Sequence, residues 1–267
     1  MIRLEAVGYR YAGAPRASLH DIDLELSDGQ VVGLAGASES GKTTLCLVVS
    51  GLAPRAIRGT LSGRLLIDDT DVTSQPMHEL ASHVGIGFQD PATQLSGVAD
   101  TVYEEVAFGP ANLGVARDAL IERVEDALAR LGIEGLAERH PAHLSGGQMQ
   151  LVAIAGLLAM RPRHLVLDEP TAQLDPAGTT LVAEALAALA ADGATILVAE
   201  QKTDLLARIC SRVLVLEAGR ITLDGPAPDV LDDLRLAELG VPLPSEVRLR
   251  RALVAAGLPP DAARVPA

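Results

Sequence analysis

Eight residues, Gly36-Ala37-Ser38-Glu39-Ser40-Gly41-Lys42-Thr43, match the pattern G-x-x-x-x-G-K-[ST]. They lie between a short apolar run, VVGLA (31 to 35), and an apolar-rich helical stretch, KTTLCLVVSGL, which is the strand, loop and helix context that the pattern needs. The chemistry is anion binding. Consecutive backbone N–H groups and a helix N-terminus offer partial positive charge to phosphates, Lys42 adds a full charge, and the Thr43 hydroxyl can ligate Mg²⁺. Glu39 is an unusual member of such a loop and is expected to turn outward, leaving the backbone to face the phosphates.

Three further groups carry chemistry. HLVLDE (164 to 169) reads as a strand ending on Asp168 and Glu169; beside a phosphate loop, one such carboxylate holds Mg²⁺ and a second can activate water. LSGGQ, Leu144 to Gln148, sets a Ser hydroxyl and two glycines at a helix start, a second anion-binding surface. One chain cannot easily bring this surface and the Lys42 loop onto one phosphate, so two chains facing head to tail are the economical solution. TILVA (195 to 199) ends on Glu200, Gln201 and Lys202, at the kind of strand edge where open α/β sheets bind ligands.

The elements that must position these groups follow from periodicity. RLEAVGYRY and SLHDIDLEL alternate with period two, the second ending on Asp28-Gly29, a hairpin signal, and GRLLIDDTDV (63 to 72) looks like another such strand. DALIERVEDALARLGI (118 to 133) is an amphipathic helix with Gly132 as its stop. Asp175 to Ala191 and TDLLARI read as helices, and RVLVLEAGRI as a closing strand and turn. Strands alternating with helices imply a parallel sheet, interrupted at about 90–150 by helices alone. The fold class expected is therefore α/β: a P-loop parallel-sheet core with an antiparallel β subdomain and a helical insertion. Residues 1–222 form the main domain, and 223–267 a short helical extension.

Composition narrows the function. The 267 residues are 48% hydrophobic, enough for a sizeable core, and no run of about 18 uncharged apolar residues marks a membrane span. The N-terminus does not read as a signal peptide, which points to the cytosol unless a partner holds the chain at a membrane. A net charge of -13 with no basic stripe argues against nucleic acid. Cys46 and Cys210 sit in apolar sequence with no metal spacing. Lysine occurs only at Lys42 and Lys202, and the aromatic residues are Tyr9, Tyr11, Phe88, Tyr103 and Phe108.

Together these motifs resemble the ATP-binding subunit of ATP-binding cassette (ABC) transporters over roughly residues 1 to 222. GASESGKTT resembles the Walker A loop, HLVLDEP the Walker B strand, LSGGQ the signature, Phe88-Gln89 the Q-loop and Ala172-Gln173-Leu174-Asp175 the D-loop. QDPATQLSGVADTVYEEVAFGPANLG is similar to ATPases of energy-coupling factor (ECF) importers of vitamins and of cobalt or nickel. The resemblance implies two cassettes sandwiching two MgATP at the cytoplasmic face of a membrane. It places Gly36, Ser38, Glu39, Ser40, Gly41, Lys42, Thr43 and Thr44 on the nucleotide, with Tyr11 stacked on adenine. Thr43, Asp168 and Gln89 would hold Mg²⁺, with Glu169 polarising water and Gln201 at the γ-phosphate. Ser145, Gly146, Gly147 and Gln148 would bind the partner's ATP, Asp175 belongs to the D-loop, and the segment after Gln89, with Tyr103 and Phe108, would signal to transmembrane subunits. The bland reading, core residues of the helical insertion, weighs equally for Phe108.

The sequence departs from that pattern at Gln201, where the family has a switch histidine, at Leu151, where arginine is common, and at Ser38-Glu39, where Asn-Gly is usual. Glutamine donates and accepts hydrogen bonds but does not titrate. Loss of proton handling would cost roughly 10² to 10⁴-fold, whereas loss of positioning alone would be largely made good by the amide. A cassette for DNA repair or translation would need a coiled-coil insertion or a second cassette, and neither is present. A non-hydrolysing cassette paired with a catalytic partner has Gln201 as its main support.

Overall fold

The computed structural model describes residues 1–81 and 83–259, so the end of the expected extension lies outside the described residues. The chain opens with β1 (Ile2–Tyr11), β2 (Leu19–Leu26) and β3 (Val31–Ala35), then α1 (Lys42–Val49) and the single turn α2 (Leu52–Arg55). Next come β4 (Gly59–Ile67), β5 (Thr70–Asp71), α3 (Met77–Leu80) and β6 (Val84–Gly87). Helices then stand alone as α4 (Val102–Asn112), α5 (Arg117–Arg130) and α6 (Gly146–Met160). Alternation resumes with β7 (His164–Asp168), α7 (Pro176–Ala191), β8 (Thr195–Ala199), α8 (Thr203–Ile209) and β9 (Arg212–Glu217). β10 (Arg220–Pro226), α9 (Ala227–Leu231), α10 (Arg235–Glu238) and α11 (Ser245–Ala255) follow.

These strands form two sheets. One has six strands in the order β10-β9-β3-β8-β7-β6, parallel except for the β9–β10 hairpin. Every residue of β3, β7 and β8 is buried, because helices cover one face of this sheet and α1 with the second sheet covers the other, so its central strands need apolar side chains on each. The other sheet is antiparallel, in the order β2-β1-β4-β5, and β2 alternates buried and exposed residues because only one of its faces is covered. Leu4, Leu24 and Leu65 of that face pack with Leu45 of α1 and Val166 of β7, while Leu128, Ile154, Leu186 and Ile196 belong to a second core on the helical side.

The sheets correct some local expectations. Asp28-Gly29 is a turn, but it carries the chain from β2 into β3 of the other sheet rather than closing a hairpin. GRLLIDDTDV is not one strand: Asp68 and Asp69, at φ +49° and +60°, fold it into β4, a tight turn and β5. RVLVLEAGRI closes as a hairpin, and β10 runs to Pro226, across residue 222. The glycines of LSGGQ are the first turn of α6, with Ser145 as its N-cap. Cys46 and Cys210 are buried free thiols. Leu236 and Val241, beyond β10, are buried in the helical-side core.

Candidate active site

The phosphate loop hangs between β3 and α1, and backbone crowding dictates its glycines. A Cβ on Gly36 would lie 2.5 Å from Leu216 O and Ser40 Oγ, and one on Gly41, at φ +110°, 3.0 Å from Ser18 O. Glu39 takes the left-handed conformation, φ +63°, and is exposed, as an acid must be beside an anion site. The Lys42 ammonium curls into the loop and donates to Gly36 O at 2.8 Å and Ala37 O at 3.0 Å. Burial pushes this amine below the ordinary lysine range, and nearby Glu169 and Asp168 offset part of that shift.

Asp168 ends β7 behind the loop, 5% exposed. Burial raises its pKa above the usual aspartate range; a hydrogen bond with the Thr43 side chain opposes that, the Glu169 charge reinforces it, and Lys42 pulls it back down. Its Oδ1 is buried with no hydrogen-bond partner among the described residues, as is Ser40 Oγ. An orphaned carboxylate oxygen on Asp168, with the Thr43 side chain bonded to the same carboxylate, makes a pair of hard oxygen donors that fits Mg²⁺.

Glu169 follows at φ +49°, its N–H bonded to Ala199 O at 2.8 Å. Its two carboxylate oxygens accept from different amides: Gln201 Nε2 reaches Oε1 at 2.7 Å and Gln89 Nε2 reaches Oε2 at 2.9 Å. The three residues come from the carboxyl ends of β8, β7 and β6, adjacent in the sheet. The arrangement fixes a carboxylate in one orientation while leaving it at the cleft wall, which suits a group that polarises water.

The neighbours of Gln201 have another task. Glu200 is buried; its Oε1 accepts from Thr171 N at 3.1 Å and Thr171 Oγ1 at 2.6 Å, and burial raises its pKa. Lys202 Nζ donates to Thr171 O at 2.8 Å. Of the polar cluster at the strand end, only Gln201 lines the cleft; the other two hold the loop that follows Glu169.

The cleft itself, about 930 Å³, gathers Ser38, Glu39, Gly41, Lys42, Thr43 and Thr44 with Gln89, Glu169 and Gln201. Arg16, Ser18 and His20, from the connection between β1 and β2 and the start of β2, also line it. Sequence reasoning missed them, and no spacing marks them, since they reach the cleft only through sheet pairing. Tyr11 is not part of the cleft wall: its hydroxyl lies 3.0 Å from Thr44 Oγ1 and its ring packs edge-on against Tyr9, centroids 5.0 Å apart.

The LSGGQ residues are elsewhere. Ser145 and Gln148 form a reciprocal capping box at the start of α6, with Gln148 N to Ser145 Oγ 3.3 Å and Ser145 N to Gln148 Oε1 3.0 Å. Gly146 and Gly147 lie under Gln173: a Cβ on Gly146 would displace the Gln173 side-chain amide, and one on Gly147 would sit 3.2 Å from the Gln173 carbonyl oxygen. Asp175 caps α7 through Gly178 N at 2.7 Å. None of residues 145–148 lines the cleft of its own chain.

Comparison with known proteins agrees with this geometry. The family model described as "ABC transporter" matches residues 19–172. A protein of Pyrococcus horikoshii provisionally named an ABC transporter ATP-binding protein, PH1815, is 39% identical over 97% of this chain and 91% of its own length. One of Methanosarcina acetivorans is 42% identical over 94% of this chain, which spans only 41% of that relative. Among solved structures, cbiO1 of Clostridium perfringens, described as part of the ABC transporter complex cbiONQ, superposes with a TM-score of 0.77 at 32% identity, covering 96% of this chain and 98% of that one. The dimeric post-hydrolysis cassette MJ0796 bound to ADP and Pi gives 0.75 at 25% identity, with 85% and 99% covered. With an intact phosphate loop, a buried aspartate beside it and a glutamate clamped at the cleft wall, the chain belongs to the ABC transporter family as an ATP-binding cassette, an ATPase.

Proposed function

We propose that this cassette pairs head to tail with a second one at the cytoplasmic face of a membrane and powers an importer of the ECF type, for a vitamin or a metal ion. The observation that carries the catalytic part is Glu169, held between the Gln89 and Gln201 amides beside Asp168 and the Lys42 loop. Lys42 and the loop N–H groups bind the phosphates of ATP, exchanging the lysine's bonds to Gly36 and Ala37 for bonds to phosphate oxygens. Thr43, Asp168 and Gln89 would hold Mg²⁺, which would supply neutralisation of phosphate charge. Glu169 orients and polarises the attacking water. Gln201 fixes Glu169 through its N–H₂ and keeps its carbonyl oxygen for the water or the γ-phosphate. Ser145 and Gly147 of the second cassette complete the anion site, in keeping with their absence from the cleft of a single chain.

The importer part draws support from the likeness to cbiO1 and from a groove on the other side of β6. This groove, about 260 Å³, is lined by Met77, Ile86, Leu95, Phe108, Leu157 and Met160, and Phe108 is 44% exposed. Gln94, which accepts from Phe88 N at 3.1 Å and donates to Ala153 O at 3.3 Å, links the groove to Gln89. A helix of a transmembrane subunit seated on Phe108 would therefore sense the position of Gln89. Tyr103 is partly buried and packs against the helical-side core instead.

Glu169→Gln is expected to abolish MgATP hydrolysis while ATP binding persists; equal turnover by the two proteins would remove Glu169 as the group that activates water. Gln201→His tests the second reading, a slow cassette serving a catalytic partner. An unchanged rate means that the amide already does the positioning, and acceleration of about tenfold or more, rising toward the roughly 10² to 10⁴-fold of general acid–base catalysis, means that proton handling was lost. Membrane proteins that co-purify in mild detergent would identify the importer.

A further inference from the structure

Segment 240–245, after α10, touches both ends of the catalytic cleft's scaffold. Thr203, buried at the start of α8 and two residues beyond Gln201, donates from Oγ1 to Pro242 O at 2.8 Å. Its neighbour Asp204 receives Ser245 N at 2.6 Å on one carboxylate oxygen and Ser245 Oγ at 3.1 Å on the other. Ser245 is the first residue of α11, whose own preceding residue, Pro244, has no side chain to cap it, so Asp204 supplies the missing acceptor and the negative charge from another helix. On the opposite side, Gly240 lies so close to the phosphate loop that a Cβ placed there would be 3.2 Å from the Ala37 Cβ, and Ala37 O is one of the two carbonyls holding Lys42. Val241, between these contacts, is buried in the core.

We propose that segment 240–245 is a strut that positions the hydrolytic end of the cleft: through Thr203 and Asp204 it fixes the elbow carrying Gln201, and through Gly240 it backs the phosphate loop at Ala37. Thr203 and Asp204 are positioning residues, since neither lines the cleft. The strut matters because Gln201 is joined to α8 only through Lys202, and a loosened elbow lets the amide leave Glu169. This inference rests on the reading of Gln201 as the residue that orients Glu169.

The test is steady-state MgATP hydrolysis by the full chain, with kcat and KM separated and thermal unfolding recorded for each variant. Asp204→Ala is expected to lower kcat about three- to tenfold, as small misplacements of a catalytic group do, while KM for ATP stays within about twofold. Asp204→Asn, which still accepts from Ser245 N, restores most of the loss, and Thr203→Ser and Thr203→Val divide in the same way. In a Gln201→Ala background, Asp204→Ala should add nothing, because both act through one amide. Parent-like kcat for Asp204→Ala, or a loss that multiplies with that of Gln201→Ala, overturns the strut. A parent-like Gln201→Ala overturns the role of Gln201 instead. Should Asp204→Ala fail to fold, Thr203→Val, which keeps the side chain's shape and removes its bond to Pro242 O, takes its place with the same two criteria.

Discussion

Asp168 shows how a single residue trades stability for chemistry. Its folded-state pKa lies above the unfolded one, so its contribution is fully favourable only below the unfolded value and is lost as pH rises through the folded value; at neutral pH the cation-free protein keeps a poorly solvated carboxylate. Asp168→Asn should therefore raise the melting temperature of the cation-free protein by about 2–4 °C while abolishing further stabilisation by MgATP. Differential scanning fluorimetry with and without MgATP checks both halves. The placement of Asp168, Glu169, Lys42 and Thr43 around one cleft was legible in the sequence because it depends on local spacing at strand ends, and that of Gln201 and Gln89 through resemblance. The clamp that Gln89 and Gln201 make on Glu169 was not legible, since it requires the order of three strands in a sheet. Nor was the split of Glu200, Gln201 and Lys202 into two tasks, because consecutive residues leaving a strand diverge according to what lies beneath each.

Among the elements, those named correctly from sequence are the ones whose burial follows one regular pattern along their length. β3, β7 and β8 read as unbroken apolar runs because both their faces are covered, and α5 as an amphipathic helix because one face is. The run from 63 to 72 failed because β5 has two residues, too few for a period, and because Asp68 and Asp69 turn left-handed without glycine. Asp28-Gly29 announced a turn but could not announce which sheet the next strand would join. At the start of α6 the capping box serves two ends: it satisfies the helix's first N–H groups and holds Ser145 toward the surface where a partner's nucleotide is proposed to sit. Ser145→Ala is expected to cost about 1 kcal/mol of stability, read from denaturant unfolding, and to reduce turnover by more than that cost explains. Gly146→Ala would press on the flexible side chain of Gln173 and should be milder.

For the whole molecule, the two sheets are also joined away from the cleft. Asp28 and Asp68, from the β2–β3 and β4–β5 turns, are bridged by the Met1 amine and by Arg163, which precedes β7. Two carboxylates thus meet two cations, and hydrogen bonds from the amine to both acids outweigh burial and hold it protonated above its ordinary range. The near absence of lysine gives this balance another meaning. A chain with Lys42 and Lys202 as its two side-chain amines, one of them buried and shifted toward its neutral form, is an unusually clean target for acylating reagents. Lys202 is exposed and reports on the loop after Glu169, whereas Lys42 reacts only when it leaves its carbonyls and is shielded once phosphates take their place. Two modified peptides would then distinguish a filled cleft from an open one, which makes the lysine scarcity of this sequence a built-in occupancy probe.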